Sequence, residues 1–398
     1  MMIRYYSPHF SVLSCIKALF TSRAESKLVS FFKEYTNKKY ILVTNSCRSA
    51  LYLAYKSLNR KGTVVTNPLT CNIALDPIVA AGNHILFTDI ERDKLTMLAT
   101  DLHKLMDENT IAIQANHIGG FLCNMRQIWD QTRTGNICII EDCAQGFFSS
   151  FQGQKPGNYS DVVCFSLIKN AYGTGGGILA TDDPIIHRRA TEMMQGFKKP
   201  SFVLILFRMI RNLLETLRDK KFFDIMYINL MRGRKVSGEF RKRNVTTYYD
   251  ILPSKLEMKI GYVQLLKASE LNRERKIKAG LLLNKLNEMG LISNYKDISE
   301  YDSAFTKFFM VNQNIRSEEL ITKLNKKGVE ARHLEHKHNH FYQERIDLSG
   351  KPEMISNILE CHNYLELYNR IISLPLFENM SEATMDKMIK TLKELIFE

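Results

Sequence analysis

Between residues 139 and 177 the sequence reads IIEDCAQGFFSSFQGQKPGNYSDVVCFSLIKNAYGTGGG, and it gathers residue types that do covalent chemistry on a carbonyl. An apolar run from Asn136 to Ile140 leads into two carboxylates, Glu141 and Asp142, with Gln145 three residues after Asp142. A second apolar run, Val162 to Leu167, delivers Ser166 and then Lys169, and glycines follow at Gly173, Gly175, Gly176 and Gly177. A lysine amine condenses with an aldehyde, and a carboxylate holds a proton on a pyridine nitrogen so that the ring draws electrons. Together they suit a pyridine cofactor bearing an aldehyde. The glycines let the backbone pass close to such a ring without a Cβ in the way.

These residues need strand ends to hold them. The two apolar runs are short and rich in β-branched residues, as buried strands are. Further strands are expected at Tyr40–Thr44, Val64–Thr66, Ile85–Thr88 and Ile111–Ala115, with helical stretches over 25–38, 72–81 and 100–107. Strands alternating with helices predict an α/β fold, a mostly parallel sheet covered on both faces, whose ligands collect at the carboxyl ends of the strands. Ser46, His117, Asp142 and Ser166 all fall at or near such ends. The strand at 40–44 ends on Asn45-Ser46-Cys47-Arg48-Ser49, and a helix pattern with Leu51, Tyr55 and Leu58 on one face follows. Small polar residues there serve either as a simple N-cap or as a turn presenting N–H groups to a phosphate. His117 alone reads as a structural histidine. Downstream, a helix is expected at Ile185–Gly196 and an amphipathic one at Leu256–Met289, closed by Gly290. A smaller unit then has a strand at Phe308–Asn312, a helix at Glu318–Lys327 and a last helix near Glu382–Ile396.

The order Asp142-Cys-Ala-Gln145, Ser166-Leu-Ile-Lys169 and Gly173-Thr-Gly-Gly-Gly177 resembles the DegT/DnrJ/StrS family of pyridoxal-phosphate sugar aminotransferases. SCRSAL (46–51), GNHILFTDI (82–90), HIGG (117–120), IGYVQL (260–265) and ISLPLF (372–377) fit in the same order, so the resemblance covers nearly the whole chain apart from about 197–247. It implies a fold-type-I architecture, with a large cofactor domain over 1–255 and a smaller α+β domain over 256–398. It implies pyridoxal 5′-phosphate held covalently by Lys169, which also shuttles the proton, with Asp142 at the ring nitrogen and Gln145 at the phenolic oxygen. Ser46, Cys47, Arg48 and Ser166 fall to the phosphate. The reaction implied moves an amino group from an amino acid, glutamate in such enzymes, to a keto sugar, usually nucleotide-linked, for cell-surface polysaccharide or glycan synthesis. A homodimer is implied as well.

Two positions depart from the family pattern. The loop Pro68-Leu-Thr-Cys-Asn72 lacks the aromatic that covers the ring, and Asp250 stands where a neighbouring subunit lends an asparagine to the phosphate. A non-catalytic, cofactor-binding regulatory member is the alternative in another class, and Lys169 with Asp142 and Gln145 argues against it. A dehydratase branch carries histidine in place of this lysine, and Lys169 argues against that too.

Composition narrows the rest. Hydrophobic residues at 45% and charged residues at 24% describe an ordinary globular protein. The N-terminal apolar run is broken by Lys17 and reads as a first helix, not a signal peptide, and no stretch is long enough to span a bilayer. Eight cysteines without a Cys-x-x-Cys pair read as buried hydrophobes in a reducing, cytoplasmic compartment. The formal charge of +13 is concentrated in residues 197–247, where thirteen Lys/Arg face four Asp/Glu. That segment reads either as a basic helical elaboration packed on the domain or a dimer partner, or as an in-plane amphipathic contact with anionic lipid at the inner face of the membrane. The second reading admits a lipid-linked acceptor. Nucleic acid is disfavoured, since no binding motif accompanies the charge. Four histidines between Arg332 and His340 match no metal cage and are interleaved with Lys337, so no metal is assigned; the resemblance puts this loop near the substrate mouth.

Overall fold

The computed structural model describes residues 2–5, 9–100, 102–133, 135–217, 226, 249–333 and 355–397. The histidine-rich stretch beyond His333 and most of the basic segment after Leu217 lie outside the described residues.

The six expected strands, joined by two more, pair into an eight-stranded sheet. In chain order its members are β1 (Tyr40–Thr44), β2 (Thr63–Thr66), β3 (His84–Phe87), β4 (Thr110–Asn116), β5 (Cys138–Asp142), β7 (Val162–Ser166), β8 (Gly177–Thr181) and β12 (Ile355–Ser356). They lie in the order β1-β8-β7-β5-β4-β2-β3-β12, while the short strands β6 (Ser150–Phe151) and β9 (Tyr301–Asp302) pair with each other outside it. The centre is parallel, and β8 runs antiparallel to both β1 and β7. β4, β5 and β7 are buried along their whole length, which is why they read as continuous apolar runs instead of alternating ones.

Helix α3 (Cys47–Ser57) follows β1, α4 (Asn72–Ala80) follows β2, and α7 (Pro184–Gln195) follows β8, started by the Asp183 cap and Pro184. The stretch expected to be helical over 100–107 is a single turn, Leu102–Leu105. The first helix, α1, spans Val12–Leu19, and α2 spans Ala24–Thr36. The described part of the basic segment forms α8 (Phe202–Thr216).

Helix α9 (Lys255–Glu288) is opened by Ser254, whose side chain accepts from the Glu257 N–H. Beyond it, β10 (Phe308–Val311), β11 (Arg332–His333) and β13 (Ile371–Leu374) form a three-stranded antiparallel sheet. Packed with it are α10 (Ser317–Lys326) and the last helix, Glu382–Phe397. The pair β12 and β3 returns the C-terminal part of the chain to the edge of the large sheet, so the two parts share a seam. A buried cluster tightens that seam: Arg275 of α9 donates to Glu378 (3.0 Å), and His9 meets the same carboxylate at 2.9 Å.

Candidate active site

The strand ends converge as the sequence demands. β5 lies between β4 and β7, so its last residue, Asp142, faces the ends of both neighbours. Successive strand residues point to opposite faces, which separates Glu141 from Asp142. Asp142 lines a cavity of about 220 Å³ together with Ser46, Cys47, Arg48, Gln145, Ser166 and Lys169. All seven residues that the sequence singled out are thus brought to one place.

Asp142 is 6% exposed and firmly held. The Asn116 amide donates to Oδ2 at 2.8 Å, and the Ala144 N–H donates to Oδ1 at 2.9 Å. Cys47 adds a weaker thiol contact to Oδ1 at 3.5 Å. Burial, followed by the Asp142 charge, pushes the Cys47 thiol well up, so it stays protonated and able to donate. Asn116 is itself fixed from behind: its Oδ1 accepts from Thr66 and Thr70 (2.9 Å each) and from Gln114 (3.0 Å), and Gln114 accepts from Tyr55 (2.5 Å). This relay from Tyr55 through Gln114 and Asn116 gives the carboxylate one orientation.

Gln145 is oriented by a donor that cannot be reversed. The Gly119 N–H reaches its Oε1 at 3.0 Å, so the amide's Nε2 is left as a donor. Across the cavity, α3 begins at the Ser46 cap, whose Oγ accepts from Ser49 N–H at 3.2 Å. The N–H groups of Cys47 and Arg48 lie in the first helical turn, where no intrahelical acceptor exists, and they carry the positive end of the helix dipole. The N-cap reading holds, since Ser46 caps the helix, and the N–H groups behind it have no intrahelical acceptor. The Cys47 side chain meanwhile turns to Asp142.

The glycine cluster explains how β8 comes so near. A Cβ on Gly177 would lie 2.2 Å from the Ser46 carbonyl carbon and 2.3 Å from Cys47 N. The Gly176 N–H donates to Asn45 O at 3.0 Å. A Cβ on Gly175 would lie 2.4 Å from the Glu257 carboxylate of α9, which is 1% exposed and takes Arg208 of α8 at 3.1 Å. Lys169 follows Ser166 by a turn in which Ser166 Oγ accepts from Ile168 N–H at 3.3 Å. No hydrogen bond or ion pair ties the Lys169 ammonium to another described residue. Cys71, Ile73 and Ala74 line the wall where the loop lacks an aromatic. Asp250 meets Lys198, its carboxylate 3.0 Å from Nζ.

His117 lines the same cavity, and its ring is held from behind: the Cys123 N–H donates to Nδ1 at 3.1 Å, placing the ring proton on Nε2, which meets Glu141 at 2.9 Å. His117, Glu141 and Cys143 offer ligand-type atoms within 4.8 Å of one another. Both ring nitrogens are already hydrogen-bonded, so this trio is a buried network that ties His117 to β5. The sequence reading passed over Asn116, Gln114, Glu257 and Arg208. The polar Gln114 and Asn116 inside the run TIAIQAN were the visible signal for the first two. Glu257 and Arg208 had no local signal.

Comparison with known proteins follows this geometry. The pattern of the DegT/DnrJ/EryC1/StrS aminotransferase family matches residues 18–203 and 216–393. The chain is 22% identical over 383 residues to the spore coat polysaccharide biosynthesis protein SpsC of Bacillus subtilis, covering 92% of this chain and 87% of that one. It is 28% identical over 185 residues to GDP-perosamine synthase of Escherichia coli O157:H7, covering 45% of this chain and 51% of that one. Among solved structures, the apo form of the putative sugar aminotransferase Spr1654 from Streptococcus pneumoniae superimposes with a TM-score of 0.77 at 15% identity, covering 100% of this chain and 98% of that one. Helicobacter pylori PseC, an aminotransferase of pseudoaminic acid biosynthesis, gives 0.75 at 16%, covering 100% of both chains. At such identities these structures speak for the fold.

Proposed function

Because the chain belongs to the DegT/DnrJ/EryC1/StrS aminotransferase family, we propose that it transfers the amino group of glutamate to a keto sugar carried on a nucleotide, at the cavity between Lys169 and Asp142. It is a pyridoxal-phosphate-dependent aminotransferase. Two features support this cavity as the cofactor's seat: the Gln145 amide oriented to donate, and the bare Gly177 approach that keeps the N-terminus of α3 open. Bound pyridoxal phosphate supplies an aldehyde that exchanges oxygen for amine and a ring that withdraws electrons from the carbon losing its proton.

The chain's own residues do the rest. Asp142, fixed by Asn116 and Ala144, holds a proton on the ring nitrogen, and its charge counts most in the transition state. Lys169 Nζ is the amine that would hold the cofactor's aldehyde carbon, and as a free amine it would move a proton at the substrate carbon. Gln145 Nε2 is assigned to the phenolic oxygen. The phosphate falls to Ser46, Cys47 and Arg48 at the α3 N-terminus, and to Ser166.

The carrying observation is the unpartnered Lys169 ammonium in one cavity with a rigidly held Asp142. Since one relative is named GDP-perosamine synthase and another a polysaccharide biosynthesis protein, a GDP-linked keto sugar bound for a surface polysaccharide is the first acceptor to test. Purified protein is incubated with glutamate and a panel of keto nucleotide sugars, and mass spectrometry reads the amino sugar and 2-oxoglutarate together. Formation of neither with any member refutes the nucleotide-linked reading.

A cytoplasmic homodimer belongs to the same reading, as does a peripheral membrane contact through residues 197–247, with a lipid-linked acceptor as its corollary. No helix among the described residues is long and apolar enough to cross a membrane.

A further inference from the structure

Helix α1 is built inside out. Its fully buried positions are Ser14 and Ala18, while Val12, Leu13, Ile16 and Leu19 are exposed. The C-cap Phe20 is 85% exposed. Positions 12, 13, 16, 19 and 20 are one helical stripe, so a continuous apolar face points away from the protein. Helix α8 repeats the arrangement in a helix that is apolar nearly all round. Phe202, Val203, Leu206 and Ile210 are exposed, whereas Ile205, Asn212 and Leu214 are buried.

The two helices share one footing. Ala18 of α1 packs with Phe10 and with Ile260 and Val263 of α9, and Met209 and Leu213 of α8 pack against that same cluster. The family pattern skips residues 204–215 and begins at residue 18, so much of both outward stripes lies outside the residues it matches.

Charge identifies what covers them. Residues 9–23 and 197–217 hold six Lys/Arg and one Glu. Lys198 is paired with Asp250 and Arg208 with Glu257. Lys17, Arg23, Lys199 and Arg211 have no carboxylate partner among the described residues. A second copy docking by the same face would set these cations against their own counterparts, because a two-fold contact brings a patch against itself. An anionic bilayer meets both features, taking apolar side chains below the headgroups and cations among them. At 15 residues α8 is about 22 Å long, short of the ~30 Å hydrocarbon core, so it lies in the plane of the interface.

We propose that α1 and α8 together form one in-plane face that docks the protein on an anionic lipid surface, with α1 as an equal half of it. This inference rests on the peripheral contact proposed for residues 197–247 and adds an element distant in sequence.

The test is flotation of the full-length, cofactor-loaded protein with vesicles of phosphatidylglycerol and phosphatidylcholine, and with phosphatidylcholine alone. The wild type floats with the anionic vesicles, less so in high salt, and little with the neutral ones. Leu13→Asp/Ile16→Asp and, separately, Leu206→Asp/Ile210→Asp each reduce the bound fraction at least tenfold. Both pairs keep the wild-type visible spectrum and thermal melt, since all four side chains are exposed. If only the α8 pair loses binding, the segment reading stands and the role of α1 is overturned. If the wild type does not float at low salt, both fail. If it does not float and the α1 pair instead turns a dimer into a monomer in sedimentation velocity, the face belongs to a second copy and the proposal is likewise overturned.

Discussion

Replacing Gly177 by alanine isolates the contact on which the proposed cofactor seat depends. Gly177 opens β8, pairs with Thr44 and Ser166, and has no unusual φ, so the substitution adds only a methyl group. That methyl would sit 2.2, 2.3 and 2.6 Å from the Ser46 carbonyl carbon, Cys47 N and Ser46 O, where ordinary contact begins at 3.4 Å. Every obstacle is backbone, so a gap of about 1 Å must come from moving the start of α3 against a close-packed sheet. Overpacking of this kind costs about 1–3 kcal/mol, and a backbone obstacle puts Gly177→Ala at the upper end. The displaced N–H groups are those proposed to hold the phosphate. Losing one charge-assisted hydrogen bond, worth about 1.5–3 kcal/mol, weakens binding roughly tenfold to a hundredfold. Gly280→Ala is the control. It lies within α9, its Cβ would meet nothing within 4 Å, and relief of glycine's chain entropy should stabilise by about 0.5–1 kcal/mol. Urea denaturation of the cofactor-free protein reads the first effect, and titration with pyridoxal phosphate followed in the visible reads the second. A Gly177→Ala protein with the wild-type urea midpoint and affinity would refute the reasoning.

Three other perturbations probe neighbouring parts. Asp142→Asn should keep the fold and much of the cofactor affinity while kcat falls by orders of magnitude, since a neutral amide cannot hold the ring nitrogen's proton; an unchanged kcat removes Asp142 from that role. Arg208→Ala leaves the buried Glu257 without its cation beside the glycine loop. A loss of about 2–3 kcal/mol in urea is expected, less than for a fully buried pair because Arg208 is partly exposed, and a change within 0.5 kcal/mol would contradict it. Burial raises the Glu378 carboxyl, but His9, Arg275 and Tyr172 more than offset this and hold it below 4.5. A depressed carboxyl stabilises above its unfolded value and loses that contribution as pH falls through the folded one. Glu378→Gln should therefore destabilise by about 3–5 kcal/mol at pH 7, with the gap to wild type narrowing below about pH 4.5; a pH-independent gap would show that charge is not the cause.

The parts of the site that were legible in the sequence are those set by local rules. Short apolar runs ending in Asp142 and Ser166 are strands whose ends face the cavity, and Ser46 before an amphipathic repeat is a helix start. The glycines at 175 and 177 announced a close approach, but not to what. The partner of one is Glu257 on a helix some eighty residues away, and only tertiary packing brings it there. The antiparallel direction of β8 leaves no mark on a run of five buried residues, because parallel and antiparallel central strands bury the same faces. β12 is two residues long, too short for any hydrophobic period to show. The outward stripe of α1 is a more instructive miss. An amphipathic pattern fixes which face is apolar, but not whether that face meets the core.

The most direct test of the Lys169–Asp142 site is to find where the cofactor is attached. Borohydride reduction of the yellow holoprotein should trap pyridoxal phosphate on one peptide, the one containing Lys169, and bleach the visible band. Lys169→Ala should take up no covalent label and lose transamination. A label on another lysine, or a Lys169→Ala protein that still transaminates, would contradict the account.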